Sequence, residues 1–292
     1  MKNALTNQPP FWRKWVLVLP LLTLFACKKD KSGDSQNSGP QSPATLTAKN
    51  IQLSTHIKGY YEYLPEGYSS NTASNYPLMI FFHGGGEIGN DSTQLHLVLK
   101  NGPLKLVANG SFPTSFTANG RTYKFIILGP QFTSSDDSYP DEVDNIIEYA
   151  KKNYRVDKSR IYLTGLSFGA GVAWNYVGRN ANYAKKIAAM VPIASYLNDT
   201  RDAFKITNGK AAVIAASNLP IWATHNDRDN YCPLSWIVDA DSLVKISNRN
   251  MKPQPKLTIF NAYGHEGWTQ TYDPTFKENN MNVYEWMLQY HR

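Results

Sequence analysis

Gly165-Leu166-Ser167-Phe168-Gly169 lies between the β-rich run Arg160-Ile161-Tyr162-Leu163-Thr164 and the helix-like stretch Ala170 to Val177. A serine hydroxyl is a poor nucleophile unless the chain lifts it clear of its own backbone toward a base, and a sharp strand-to-helix turn does this. Such a turn crowds the neighbouring chain, which is why glycine stands on both sides of the serine. Glycine and serine are common enough that the three fixed positions recur by chance in about one chain of this length in ten. The flanking strand and helix patterns therefore weigh more than the pentapeptide alone.

Acyl transfer from such a serine needs a base, a group that orients the base, and donors for the developing oxyanion. The candidate base is His265 in Tyr263-Gly264-His265-Glu266-Gly267-Trp268, which follows an apolar run and has glycines that let a tight loop present the ring. His56, His96 and His291 lack such a setting, and His225 reads as a loop-packing residue. Two aspartates compete as the orienting acid in Thr224-His225-Asn226-Asp227-Arg228-Asp229-Asn230-Tyr231-Cys232-Pro233. Asp229 is favoured, because Tyr231, Cys232 and the proline turn the chain back and hold its carboxylate against the imidazole. Asp227 reads as a loop cap or a solvent partner of Arg228, and Glu266 is expected to point away from His265.

The oxyanion donors are expected from the backbone N–H of Phe168 and from Gly85 and Gly86 of His83-Gly84-Gly85-Gly86. As a phosphate cradle this run is poor, since no Gly-Lys-Ser/Thr follows it. The chemistry calls for no metal or organic cofactor, and Asp136-Asp137 reads as a solvated turn because no spaced set of oxygen ligands accompanies it. The order Ser167, Asp229, His265 is that of the α/β-hydrolase fold and not that of chymotrypsin-like or subtilisin-like enzymes.

Those residues must be held at one edge of a sheet. Apolar runs predict strands at Ile57 to Tyr63, Leu78 to Phe82, Tyr123 to Leu128, Ile161 to Thr164, Ile187 to Ile193, Pro220 to Thr224 and Lys256 to Phe260. Helical patterns alternate with them at Asp141 to Tyr154, after Ser167, around Arg201 to Ser217, at Trp236 to Ile246 and at Val283 to Tyr290. Alternation of this kind predicts a mostly parallel sheet covered by helices on both faces. Each candidate residue then falls in a loop after a strand, at the carboxyl edge where such folds place their sites.

The leader reads differently. Lys2, Arg13 and Lys14 precede the apolar stretch Trp15 to Ala26, which ends before Cys27. About twelve apolar residues are too few for the roughly twenty that span a bilayer, and the pattern resembles a bacterial lipoprotein signal over 1–26. Residues 27–44 then read as a lipidated cysteine and a disordered tether, and 45–292 as a catalytic domain. The implied setting is an exported protein of the cell envelope, attached to the membrane through lipid on Cys27. Without residues 1–26 the formal charge falls from +7 to +4. No basic cluster is interleaved with aromatics, which argues against nucleic acid as a partner.

Pro77 to Glu87, Arg160 to Gly169, Ile221-Trp222-Ala223-Thr224-His225 and Gly264-His265-Glu266-Gly267-Trp268 together resemble the secreted α/β-hydrolase esterases. More narrowly they are similar to the polyhydroxybutyrate depolymerase, feruloyl esterase and dienelactone hydrolase-like group, often labelled predicted peptidases. The resemblance covers roughly Tyr60 to Arg292 and implies an α/β-hydrolase fold, without a large lid domain, that carries a Ser-Asp-His triad. Where Asn226, Tyr231 and Cys232 stand, the family usually has glycine and small aliphatic residues, so a bulkier pocket wall is implied.

Ester hydrolysis through an acyl-enzyme is the leading expectation, on small-molecule or polysaccharide esters such as acetyl or feruloyl groups. Tyr196, Tyr231, Trp236 and Trp268 are the candidates to line an open cleft and stack on sugar or aromatic rings. A prolyl oligopeptidase-like serine peptidase is one alternative, since the same triad cleaves amides. A non-catalytic surface binding protein on a hydrolase scaffold is another.

Overall fold

The computed structural model describes residues 40–137, 139–197 and 200–292. Residues 1–39, which include the expected signal, Cys27 and most of the expected tether, lie outside the described residues. Ser42, at the end of the stretch read as tether, is bonded to the body. Its carbonyl accepts from Gly67 N–H at 2.8 Å and its hydroxyl from Ser69 N–H at 3.0 Å.

Ten strands are present among the described residues: β1 (Thr45–Lys49), β2 (Ile57–Leu64), β3 (Tyr76–Phe82), β4 (Phe116–Ala118), β5 (Arg121–Tyr123), β6 (Ile126–Phe132), β7 (Val156–Leu166), β8 (Ala189–Ile193), β9 (Trp222–Arg228) and β10 (Lys256–Tyr263). Eight of them form one sheet in the order β1-β2-β6-β3-β7-β8-β9-β10. From β6 to β10 all neighbours run parallel, while β1 and β2 add an antiparallel edge.

The helices are α1 (Gly102–Ala108), α2 (Pro140–Asn153), α3 (Phe168–Arg179), α4 (Ala181–Lys186), α5 (Asn208–Ala216), α6 (Leu234–Ser247), α7 (Trp268–Tyr272) and α8 (Val283–Met287). Strand periodicity sends alternate side chains to opposite faces, so a strand covered on both sides must be apolar throughout. In β3, Leu78, Ile80 and Phe82 join one core with Ile146 of α2, Val172 of α3 and Val244 of α6. Met79 and Phe81 join the other, with Leu104 of α1, Tyr272 of α7 and Tyr284 of α8. Helices on both faces and a mostly parallel sheet are thus present as the sequence predicts.

The differences have local causes. The run Tyr123 to Leu128 is not one strand. Arg121–Tyr123 turns back on Phe116–Ala118 through Asn119-Gly120, both left-handed (φ 50° and 73°), and Ile126–Phe132 enters the main sheet separately. Two consecutive left-handed residues are what a tight hairpin requires. Strand β9 continues four residues past Thr224, which puts His225 in the sheet and not in a packing loop. The helix expected from Arg201 begins only at Asn208, where the Thr207 hydroxyl accepts from Lys210 N–H.

The corner from β7 into α3 packs directly on β3. A Cβ on Gly165 would sit 2.8 Å from the Gly169 carbonyl carbon and 2.9 Å from the Phe82 oxygen, and one on Gly169 only 2.3 Å from that oxygen. These obstacles are backbone atoms and cannot rotate away. Gly169→Ala is expected to destabilise the protein by at least the 1–3 kcal/mol or so typical of overpacking, read as a lowered denaturant midpoint.

Candidate active site

Ser167 stands at that corner with φ 53° and ψ −120°, a conformation that costs a non-glycine residue about 1–3 kcal/mol. Three backbone bonds hold it there. Its N–H donates to Ile193 O at 2.9 Å, and its carbonyl accepts from Gly171 and Tyr196 N–H, each at 3.1 Å. The side chain is thereby projected off the end of the sheet toward the loop after β10.

That loop carries His265 between Gly264 and Gly267, whose φ of 96° and 109° a side chain would resist. Gly264 N–H donates to Arg228 O at 3.0 Å, and Gly264 O accepts from the Asn226 side-chain amide at 2.9 Å. Asn226, where the resembling family usually has glycine, ties the histidine loop to the end of β9. His265 Nε2 lies 2.8 Å from Ser167 Oγ and Nδ1 lies 2.8 Å from Asp229 Oδ2. A carboxylate has no proton to offer, so Nδ1–H donates to Asp229 and Nε2 is left to accept from the serine hydroxyl.

The Asp229 side chain is fully buried, and its second oxygen accepts from the N–H groups of Tyr231 and Cys232, both at 2.8 Å. The turn that follows the aspartate therefore aims it at the imidazole. Asp227 does something else: on the exposed end of β9 it accepts from Ala262 N–H at 3.0 Å and from Arg228 Nε at 3.2 Å. Glu266 points away from His265 and accepts from Gly267 and Thr269 N–H at the start of α7.

His225 backs the acid from below. Its Nε2 donates to Cys232 O at 2.9 Å and stands 3.5 Å from Asp229 Oδ2, with Nδ1 buried and without a hydrogen-bond partner. Burial lowers its pKa and keeps the ring neutral. The Cys232 thiol is itself buried, which pushes its pKa up and leaves it inert.

On the other side of Ser167 lies the loop after β3. A Cβ on Gly84 would be 2.7 Å from a Leu166 methyl, 3.0 Å from a Glu87 carboxylate oxygen and 3.8 Å from Ser167 Cβ, so the loop lies close against the serine and a larger residue would have to displace those side chains. The next residues form a short 3₁₀ turn, Gly85–Glu87. The first N–H groups of a helical turn have no acceptor within it, which leaves those of Gly85 and Gly86 available, as is that of Phe168 at the start of α3. A Cβ on Gly85 or Gly86 meets no neighbour within 4 Å, so packing does not require glycine there. The loop is strapped from behind: Gln131 Nε2 donates to Glu87 O at 2.9 Å and Asn101 Nδ2 to the Glu87 carboxylate at 3.1 Å. His83 donates from Nδ1 to Gly84 O at 2.7 Å and accepts at Nε2 from Phe132 N–H at 2.9 Å.

The four aromatic candidates form one line with the imidazole. Trp268 packs edge-on against His265 at 5.4 Å between centroids, and Tyr231 lies 5.0 Å from the same ring. Tyr196 follows at 6.3 Å from Tyr231, and Trp236 at 5.8 Å from Tyr196. The structure thus brings Ser167, His265 and Asp229 into one hydrogen-bonded line and sets Trp268, Tyr231, Tyr196 and Trp236 in a chain of ring contacts beside it. The supports provided by His83, Asn226, Gln131 and His225 were not anticipated. Their bonds join segments 49, 38 and 44 residues apart and, for His225, cross a turn of seven.

His83 gives this scaffold a measurable pH dependence. Burial lowers its pKa from 6.5 to about 4. Above about pH 6.5 the ring is neutral in both the folded and the unfolded chain. As pH falls toward 4, the unfolded chain takes up a proton that the folded protein refuses, so stability declines by up to roughly 3 kcal/mol and then levels. His83→Gln retains a donor for Gly84 O and an acceptor for Phe132 N–H but cannot titrate. Denaturant midpoints between pH 7 and about 4 should therefore fall less steeply in the variant than in the wild type.

No family model and no curated protein matches the chain. Solved structures do. A thermostable esterase aligns at 20% identity with a TM-score of 0.54, covering 85% of this chain and 63% of its own, so the chain spans less than two thirds of that protein. A ferulic acid esterase aligns at 17% identity with a TM-score of 0.53, over 80% of this chain and 95% of its own. A structure assigned as a dipeptidyl aminopeptidase IV from Bacteroides ovatus aligns at 12% identity with a TM-score of 0.54, over 80% of this chain and 34% of its own. Identities this low speak to architecture alone. With the strand order and the β7–α3 corner, they establish that the chain has the α/β-hydrolase fold.

Proposed function

We propose that this protein is a serine hydrolase of carboxylic esters that works through an acyl-enzyme. The observation that carries the reading is the continuous hydrogen-bonded line from Ser167 Oγ through His265 to Asp229, each link 2.8 Å long. As Ser167 Oγ attacks the ester carbonyl carbon, its proton passes to His265 Nε2 and the carbonyl oxygen becomes an oxyanion. The N–H groups of Phe168 and of Gly85 or Gly86 receive that charge, each worth roughly 2.7–4 kcal/mol in the transition state. The C–O bond to the alcohol then breaks, and the alcohol leaves with the proton from Nε2. Water attacks the acyl-serine, giving its proton to Nε2, and the acid departs as the serine hydroxyl is restored. Asp229 holds the Nδ1–H tautomer and balances the transient imidazolium.

The esterase likenesses support esters over amides, and Tyr231, exposed beside His265, gives an aromatic or sugar ring a surface to stack on. Amide cleavage by the same triad is the second reading, supported by the peptidase-type likeness. The cell-envelope setting, with lipid on Cys27, is proposed from the leader sequence alone.

A fluorophosphonate probe should label the wild-type protein and leave Ser167→Ala unlabelled. Turnover of p-nitrophenyl acetate and methyl ferulate without cleavage of a peptide amide is expected; amide cleavage alone would establish the peptidase reading, and no labelling would refute both. Asp229→Asn should lower kcat by about 10⁴-fold through the wrong tautomer, whereas Asp227→Asn should leave kcat near the wild-type value. Steady-state kinetics with p-nitrophenyl acetate makes the comparison.

A further inference from the structure

The line of rings that passes through His265 ends at Trp236. Beyond it opens a cavity of about 310 Å³ walled by Leu197, Ile206, Trp236, Ala240 and Leu243. Interiors of folded proteins hold few voids larger than a water molecule, and small-molecule pockets begin at about 300 Å³. This opening has the size and apolar lining of the second kind. Trp236 and Leu243 are seven residues apart on α6, which at 1.5 Å per residue makes the groove about 10 Å long.

Two connections join it to Ser167. Tyr196 donates its N–H to the Ser167 carbonyl at 3.1 Å, and the next residue, Leu197, is already in the cavity wall. Tyr231 bridges the rings of His265 and Tyr196. The charges at the rim are opposite, Lys205 and Asp239, so the groove has no net charge with which to favour an ion.

Resting on the ester-hydrolase reading, we infer that this groove is a subsite of the Ser167 centre that takes an elongated, uncharged apolar arm of the ester. Such an arm comes from the acyl or the alcohol side of the bond, and the chemistry that recognises it is the same. A short acetyl ester reaches Ser167 without filling the groove; a long arm lies along α6 and gains binding energy from it.

Two substrate series separate the sides: p-nitrophenyl acetate against p-nitrophenyl octanoate, and methyl acetate against octyl acetate. In the wild type, kcat/KM should rise by at least about tenfold with arm length in one series, the order expected for filling an apolar pocket. Leu243→Trp should reduce that ratio by about tenfold, and Leu243→Ala should not reduce it. Ser242→Tyr, at the rim of the same groove, serves as a second filling variant should Leu243→Trp not fold. Flat ratios in both wild-type series, or ratios unmoved by the filling variants, would overturn the inference. Absence of fluorophosphonate labelling at Ser167 would instead overturn the ester-hydrolase reading.

Discussion

One residue held in a costly backbone conformation organises this protein. Ser167 sits at φ 53° because Ile193, Gly171 and Tyr196 fix its amide and carbonyl, and because glycines at 165 and 169 let the corner lie against β3. The strain is sustained by the packed sheet, not by the loop itself. Its effect is to aim a side chain outward from an element whose neighbours are almost all buried. From that fixed point the positions of the other loops follow, since β3, β8, β9 and β10 all deliver their carboxyl ends to the same edge.

Polar groups beneath the site do much of the orienting. His83 and His225 are both buried, both neutral, and both locked by a backbone carbonyl into one tautomer. At both places burial costs a charged ring its hydration, and for His225 that cost outweighs the pull of the Asp229 carboxylate 3.5 Å away. His83 secures the glycine loop to β6; His225 secures the turn that carries Asp229. Only His265, partly open to solvent, has one nitrogen on a carboxylate and the other on a hydroxyl. Three histidines near one site thus differ in role because their surroundings differ.

Much of this was legible in the sequence. The pentapeptide around Ser167 needed glycine for close backbone approach, and Gly169 against Phe82 O is that approach. Asp229 was distinguishable from Asp227 because the two residues after a short spacer turn back and offer their N–H groups to it. The lengths of β9 and of the helix at Asn208 were not legible, since polar residues at a strand end look like loop until a neighbouring strand pairs with them. Here β10 does so, matching Asn226 with Phe260. The hairpin at Asn119-Gly120 carried a recognisable turn signal, but short flanking strands left little alternation to read. Which nitrogen of His225 is bonded, and that Asn226 reaches Gly264, depend on contacts between distant segments that spacing alone does not encode.

The proposed activity turns on covalent acylation of Ser167 by way of His265. The direct measurement is rapid acid quenching of the protein during turnover of p-nitrophenyl acetate, followed by mass spectrometry of its peptides. One acetyl group on the peptide containing Ser167, absent when His265 is replaced by alanine, is the predicted result. Turnover with no acetyl on that peptide, or with acetyl carried elsewhere on the chain, would contradict the account.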